Sequence, residues 1–326
     1  MTPPVAVVGA GRMGRGIALS YIFAGVPVVL IDLKERSPDE QDELARLISD
    51  ELTRDLKFLA DIDLICPADI EEVKSLVNLI GSTDALGKIY DCRIIFEAVP
   101  EVMSLKIEAI DYIDSISEHE AVIASTTSTF LVNDLAVKSK YPERFLNAHW
   151  LNPAHLIPLV EVSKGDNTSE EAAKTLVESL ESIGKVPIVC TASAGYIVPR
   201  IQALAMNEAA RLVEEGVASA EDVDKAVNLG FGLRFSVLGL LEFIDWGGGD
   251  ILYYASNYLA EEIDDRYRAP EVVSQNMKLE KRGIRDGVGF FDYKDIDLNS
   301  YRDQRMKQFV DMLRYKDLLP VFNRAK

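Results

Sequence analysis

Two groupings of residues in this chain have the types and spacing to do chemistry. The first is Gly9-Ala10-Gly11-Arg12-Met13-Gly14, a Gly-x-Gly-x-x-Gly run directly after the apolar segment Val5–Val8 and opening an apolar-periodic stretch. Glycines so spaced let a strand turn sharply into a helix. They let backbone N–H groups approach a pyrophosphate at the helix N-terminus, and they let that helix pack closely on the sheet. Asp32 ends the next apolar run, eighteen residues after Gly14. A carboxylate there accepts hydrogen bonds from ribose hydroxyls and repels a 2′-phosphate. In that context a common glycine cluster becomes a dinucleotide fingerprint that favours NAD, with Lys34 and Arg36 nearby leaving NADP open as the alternative.

The second grouping is built on histidine, whose proton affinity suits the removal of an alcohol proton as hydride leaves carbon. The chain holds three. His119 lies in the polar stretch Ser117-Glu-His-Glu120 and reads as a solvated loop residue. His155 sits in a Pro-flanked loop, as a substrate contact or simply exposed. His149 ends the apolar run Phe145-Leu-Asn-Ala-His149, at the edge where open α/β sheets bind ligands. Ser128, in the polar turn Ser125-Thr-Thr-Ser-Thr129, is placed to reach the same edge. Glu161 interrupts Leu159-Val160-Glu161-Val162. A carboxylate inside such a strand is costly unless paired, with a lysine or arginine or with the imidazole of His149 on the adjacent strand.

These residues need a frame. Short apolar runs at Val5–Val8, Val26–Ile31, Arg93–Ala98, Ala121–Ala124, Phe145–His149, Leu159–Val162 and Lys185–Val189 read as strands. Amphipathic stretches at Met13–Ala24, Asp39–Ala60 and Glu170–Ile183 read as helices between them. That alternation predicts a doubly wound, mainly parallel α/β domain of the Rossmann type over residues 1–192. From 193 to 326 the texture becomes helical, predicting a second, all-helical domain. It begins with Tyr196–Glu215, capped by Gly216 and followed by a helix start at Ser219.

The chain resembles the L-3-hydroxyacyl-CoA dehydrogenase family over nearly its full length. The segments that carry the resemblance are VAVVGAGRMGRGIA, FEAVPEVMSLK, ASTTSTFLVNDLA, NAHWLNPAHLIPLVEV, GYIVPRIQALAMNEAARLVEEG and DGVGFFDY. In that family a serine, a histidine twenty-one residues on and a glutamate twelve further carry the reaction, and Ser128, His149 and Glu161 match that spacing. The resemblance implies an NAD-dependent dehydrogenase in which His149 is the general base, Glu161 holds it, and Ser128 hydrogen-bonds the reacting oxygen. It also implies cofactor contacts from Arg12 and Met13 in the fingerprint. Glu101 and Lys106 would lie near the nicotinamide ribose, with Asn152 beside the base. A homodimer formed through the helical domain is implied as well.

Three features depart from the acyl-CoA members. Pro199 stands where those enzymes carry an asparagine near the substrate carbonyl. Asp39–Asp63 holds nine acids against three bases, a poor surface for CoA phosphates unless it is simply a solvated face. Phe231-Gly-Leu-Arg234-Phe235 resembles a motif of the gulonate and carnitine dehydrogenase branch, whose members oxidise free hydroxy acids. A guanidinium between apolar neighbours suits a bidentate grip on a small carboxylate; the alternative is a structural ion pair with Glu242 or Asp245. The expected substrate is therefore a 3-hydroxy acid, leaning to the free acid over its CoA thioester. An aromatic or pyridine carboxylate is the alternative, since such dehydrogenases belong to the same superfamily. Trp150, Tyr196, Phe231, Phe235 and Trp246 could line such a pocket but are more often plain core, and none is assigned to the site.

Composition narrows the classes. Of 326 residues, 48% are hydrophobic and 27% charged, and the formal net charge is −18. A field of that sign repels nucleic acid and anionic membrane, so neither is an expected partner. Cys66, Cys92 and Cys190 are odd in number and lack CxxC or His spacing, which predicts buried thiols in a reducing cytoplasm, with no metal site. No apolar run approaches a membrane span, and the N-terminus lacks a basic signal region. The competing class is a non-catalytic NAD(H)-binding protein, a redox sensor or a crystallin-like relative.

Overall fold

The computed structural model describes residues 3–117 and 120–320. The chain forms two compact units, Met1–Ala205 and Met206–Lys326. The strands of the first are β1 (Val5–Val8), β2 (Val28–Asp32), β3 (Val77–Gly81), β4 (Ile94–Glu97), β5 (Val122–Ser125), β6 (Phe145–Trp150), β7 (Leu159–Lys164) and β8 (Val186–Thr191). They make one sheet in the order β3-β2-β1-β4-β5-β6-β7-β8. The first six positions repeat the doubly wound order that puts a ligand crevice beside β1 and β4, where the strand order reverses. Neighbours are parallel except β6 and β7. Only residues 151–158 join those two strands, too few for a crossover helix, so the chain must turn straight back.

Around the sheet lie α1 (Arg12–Phe23), α2 (Pro38–Asp61), α3 (Ile70–Lys74), α4 (Met103–Ile116), α5 (Val132–Ala136) and α6 (Glu170–Ser182). Successive strand residues face opposite sides. Val5 and Val7 join one apolar cluster with Ile17 of α1 and Leu52 and Leu56 of α2, while Ala6 and Val8 join a second with Ile110 and Ile113 of α4. Both faces are covered, which explains the continuous β-branched runs.

Helix α2 starts in a capping box between Ser37 and Glu40 and buries Ile48, Leu52, Leu56 and Leu59. Seven of the nine acids between Asp39 and Asp63 are exposed, and the half-buried Glu51 and Asp55 pair with Arg15 and Arg54. Most of that acidity is thus a solvated face.

A helix that bridges the division, α7 (Val198–Glu214), leads into the second unit. There the described elements are α8 (Ala220–Ala226), a π-helical turn at Val227–Gly232, α9 (Leu233–Phe235), α10 (Leu240–Gly247), α11 (Gly249–Glu262), α12 (Glu271–Lys278) and α13 (Leu298–Tyr315). Ser219 caps α8 by accepting from the Asp222 N–H. Asp245, buried on α10, accepts from the N–H groups of Phe290 and Phe291 and from the Tyr293 hydroxyl, anchoring the Gly287–Tyr293 stretch. The fold is the expected one, a mainly parallel sheet domain followed by a helical one. No single helix among the described residues is long and apolar enough to cross a membrane.

Candidate active site

The turn from β1 into α1 forms the floor of a cleft of about 800 Å³, walled by Gly9, Gly11, Asp32, Leu33, Ser82 and Ala98 among others. Gly9 has φ +115°, and a side chain there would also meet the Ala98 carbonyl at 2.6 Å. A Cβ on Gly14 would sit 1.9 Å from the Gly9 oxygen, so this glycine serves the packing of the turn on its helix. Gly11 differs: a Cβ there would meet nothing within 4 Å. Its bareness therefore serves something that approaches from the cleft. Helix α1 has no side-chain cap and no acid in its first turn. Its unsatisfied N–H groups and positive end suit a pyrophosphate. Asp32 lines the same cleft and is ion-paired with Arg36, so that guanidinium faces a carboxylate. The residues present fit a dinucleotide.

Beyond α1 a second cavity, of about 500 Å³, is lined by Arg12, Met13, Ser128, His149, Asn152, Val198 and Gln202. His149 and Glu161 are directly opposite in the antiparallel pair of β6 and β7, which puts both side chains on one face. His149 Nδ1 lies 2.8 Å from Glu161 Oε2. The other carboxylate oxygen accepts from the N–H groups of Ile197 and Val198, each at 2.9 Å. Glu161 is fully buried, and its ion-pair partner among the described residues is His149, not an arginine or lysine. With Glu161 ionised, and so able only to accept, Nδ1 would be the donor to it, and Nε2, which has no hydrogen-bond partner among the described residues, would be left to act as a base.

Ser128 shares this cavity, and its turn has its own anchor. Glu101 Oε1 accepts from the Thr127 hydroxyl at 2.6 Å, from the Ser128 and Thr129 N–H groups at 3.1 Å each and from the Thr129 hydroxyl at 3.0 Å. Lys106 is wholly buried, 3.0 Å from Glu97 and 3.6 Å from Glu101. Its ammonium thus stands behind Glu101 and does not line either cavity. Asn152 also borders a groove of about 430 Å³ that holds Arg15, Arg54 and His155. His155 is there and not beside His149, and burial holds its pKa below the usual histidine value. His119 lies outside the described residues.

Two members of this neighbourhood are not assigned to the site by the sequence. Glu97, fully buried on β4, accepts from Lys106, the Ser125 hydroxyl and the Val99 N–H. Its signal, an acid within an apolar strand, is the one that singled out Glu161. Tyr196 stacks on the His149 ring, with centroids 5.1 Å apart and planes 2° from parallel. Pro199 lies in the first turn of α7, where the absence of its N–H costs no helical bond. Gln202, one turn on, lines the His149 cavity.

Arg234 belongs to the second unit, just after the π-helical turn. It donates to the Gly230 carbonyl and lies over the Phe243 ring at 4.9 Å. The alternative ion pairs are not made: Glu242 is held by Arg305 and Tyr301, and Asp245 by its three donors. Among the described residues Arg234 has no carboxylate partner. No group of side chains there could hold a metal ion.

Residues 4–193 match the family model of the 3-hydroxyacyl-CoA dehydrogenase NAD-binding domain, and residues 195–293 match that of the family's C-terminal domain. The chain belongs to the 3-hydroxyacyl-CoA dehydrogenase family. A 3-hydroxybutyryl-CoA dehydrogenase of Clostridioides difficile is 30% identical over 89% of this chain and 99% of its own. The 5-formyl-3-hydroxy-2-methylpyridine 4-carboxylate 5-dehydrogenase of Mesorhizobium japonicum is 28% identical over 95% of this chain and 97% of its own. The crystal structure of a 3-hydroxyacyl-CoA dehydrogenase from Archaeoglobus fulgidus superposes with a TM-score of 0.76 at 31% identity, covering 97% of this chain and all of that one. As a member of this family the chain is an NAD-dependent dehydrogenase acting on CH–OH groups, and the non-catalytic reading is set aside.

Proposed function

We propose that this enzyme oxidises the secondary alcohol of a small 3-hydroxy acid, presented as the free carboxylate, with His149 as its general base. The observation that carries the base is the cross-strand pairing of His149 with the buried Glu161, His149 itself lining a cavity shared with Ser128. His149 Nε2 takes the hydroxyl proton while the C–H bonding pair leaves the same carbon, and a carbonyl forms. Bound NAD supplies the hydride acceptor, held by the Gly9–Gly14 turn and Asp32. Glu161 compensates the imidazolium that results, in a site buried enough for that charge to matter. Ser128 donates to the reacting oxygen. Asn152 and Gln202, at the rim, offer the amide donors that Pro199 does not. Glu101 and Lys106 act on the nicotinamide side by fixing the turn that carries Ser128.

The preference for a free acid rests on Arg234, an exposed guanidinium with no carboxylate partner among the described residues. The acidity of α2 adds little to it, because most of those acids face solvent. The Mesorhizobium relative gives the second reading a specific footing: its name specifies a pyridine carboxylate, and it matches nearly the whole of this chain. A homodimer is also proposed. Ile201, Leu204, Met206 and Val213 of α7 are exposed apolar side chains that a second copy could cover.

The test is a substrate panel read as NADH formation: 3-hydroxybutyryl-CoA, gulonate, carnitine and aromatic hydroxy acids. Turnover of a free hydroxy acid at higher kcat/KM than the CoA thioester supports the proposal. The reverse order rejects it.

A further inference from the structure

The reacting centre draws on three separate pieces of chain: the end of β6 with His149, the turn after β5 with Ser128, and the entry to α7, whose N–H groups hold Glu161 of β7. One side chain touches all three. Tyr196 precedes α7 with φ +47°, a left-handed backbone that a non-glycine residue adopts only where its surroundings impose it. This conformation turns the ring inward, where it is buried and lies flat on the His149 imidazole. Its hydroxyl donates to the Thr127 carbonyl at 2.9 Å and accepts from the Asn147 side-chain N–H at 2.9 Å. Thr127 is the residue before Ser128, and Asn147 is two residues before His149 on the same strand face. The next two N–H groups, of Ile197 and Val198, close on Glu161.

A hydrogen bond at Nδ1 fixes one point of an imidazole but not its tilt. A flat neighbour fixes the plane. We propose that Tyr196 is a positioning residue of the reacting centre: its ring holds the plane of His149 so that Nε2 stays aimed into the cavity, and its hydroxyl ties the Ser128 turn to the strand that carries His149. This inference rests on the reading of His149 as base. The electron-rich face of a phenol also favours the imidazolium over the neutral ring, so stacking and Glu161 act in the same sense. The other titratable or charged groups near the pair among the described residues are Glu101, from the loop after β4, Cys190 on β8, beside Glu161, and Arg12 of α1, which lines the His149 cavity. Burial raises the phenol's own pKa far above its ordinary value, so the hydroxyl remains a donor at every working pH.

Two substitutions separate the two contributions. Tyr196→Phe keeps the ring and removes the tie, and kcat should fall about three- to tenfold while the pH midpoint stays where it was. Tyr196→Leu removes the ring from a site that stays apolar. There kcat should fall further, and the acid limb of kcat/KM should move down by about half to one pH unit. The ring-proton titration of His149, followed by NMR in the NADH complex, should move by the same amount. That titration needs no turnover, so it reads the stacking even if His149 is not the base. Loss of turnover in Tyr196→Leu with an unmoved titration would overturn the proposal, as would turnover within twofold of wild type. Failure of the base reading has a different signature, normal turnover in His149→Gln.

Discussion

Glu161→Gln tests the tautomer argument with almost no change in shape. The amide has one acceptor and one donor end, and the surroundings decide which way it lies. Ile197 and Val198 both present N–H groups at 2.9 Å, so the carbonyl end must face them. The NH₂ end then faces His149 Nδ1, across the 2.8 Å now spanned by the carboxylate. Nδ1 must become the acceptor, which moves the imidazole proton to Nε2, the atom that has to accept one from substrate. The variant should fold normally, since both N–H groups keep their partner, but its base is held in the wrong tautomer. The same kind of swap in a serine-protease triad lowers turnover by about 10⁴, or about 5 kcal/mol of barrier. We expect a fall of about 10³- to 10⁴-fold in kcat, read as NADH formation, with Tm and NADH affinity close to wild type. Nitrogen NMR should place the proton on Nε2. A kcat within threefold of wild type, in a variant whose proton is on Nε2, would refute the reasoning.

Other perturbations address the remaining parts of the site. Arg234→Met should raise KM for a free hydroxy acid about 10- to 100-fold, the worth of a charge-assisted contact, and leave a CoA thioester within twofold; steady-state kinetics on both substrates would expose an equal effect and so remove the clamp. Gly11→Ala should keep the wild-type Tm but weaken NADH at least tenfold, about 1.4 kcal/mol, whereas Gly14→Ala should lower Tm because its methyl meets the Gly9 carbonyl. Fluorescence titration and calorimetry together would detect the opposite pattern. Burial pushes the Glu101 carboxyl up, but hydrogen bonds from Thr127 and Thr129 and the nearby Lys106 outweigh it, so its pKa lies below the usual value. A carboxyl depressed on folding adds stability that is present above the unfolded value of about 4.3 and lost as pH falls through the folded one. The wild-type Tm should therefore drop more steeply than that of Glu101→Gln as pH falls below about 4, and parallel curves would count against this anchor.

Much of the frame can be read from the chain because burial on both faces writes itself into composition. β1, β2 and β4 are almost wholly apolar runs, and their position and type follow from that. β3 escapes the same reading. It lies at the sheet edge, half exposed, and Val77-Asn-Leu-Ile-Gly81 carries a polar residue and a glycine. Glu161 was visible because a lone carboxylate in an apolar strand demands a partner, and the antiparallel return of β7 supplies the partner's register. Glu97 gave the same signal without a histidine to point at. Tyr196 stands out in the sequence only as one of five aromatic residues, since its stacking depends on a positive φ and on a strand some fifty residues earlier in the chain. Arg234 was legible as a guanidinium with apolar neighbours, but its freedom from Glu242 and Asp245 depends on donors as far away as Arg305 and Phe290.

The measurement that bears most directly on the central claim is the turnover of His149→Gln alongside its affinity for NADH. An imidazole that accepts the substrate proton contributes about 10²- to 10⁴-fold to the rate. His149→Gln should lose kcat by that factor, with NADH affinity within twofold of wild type. A kcat near that of wild type would contradict the role of His149 as base.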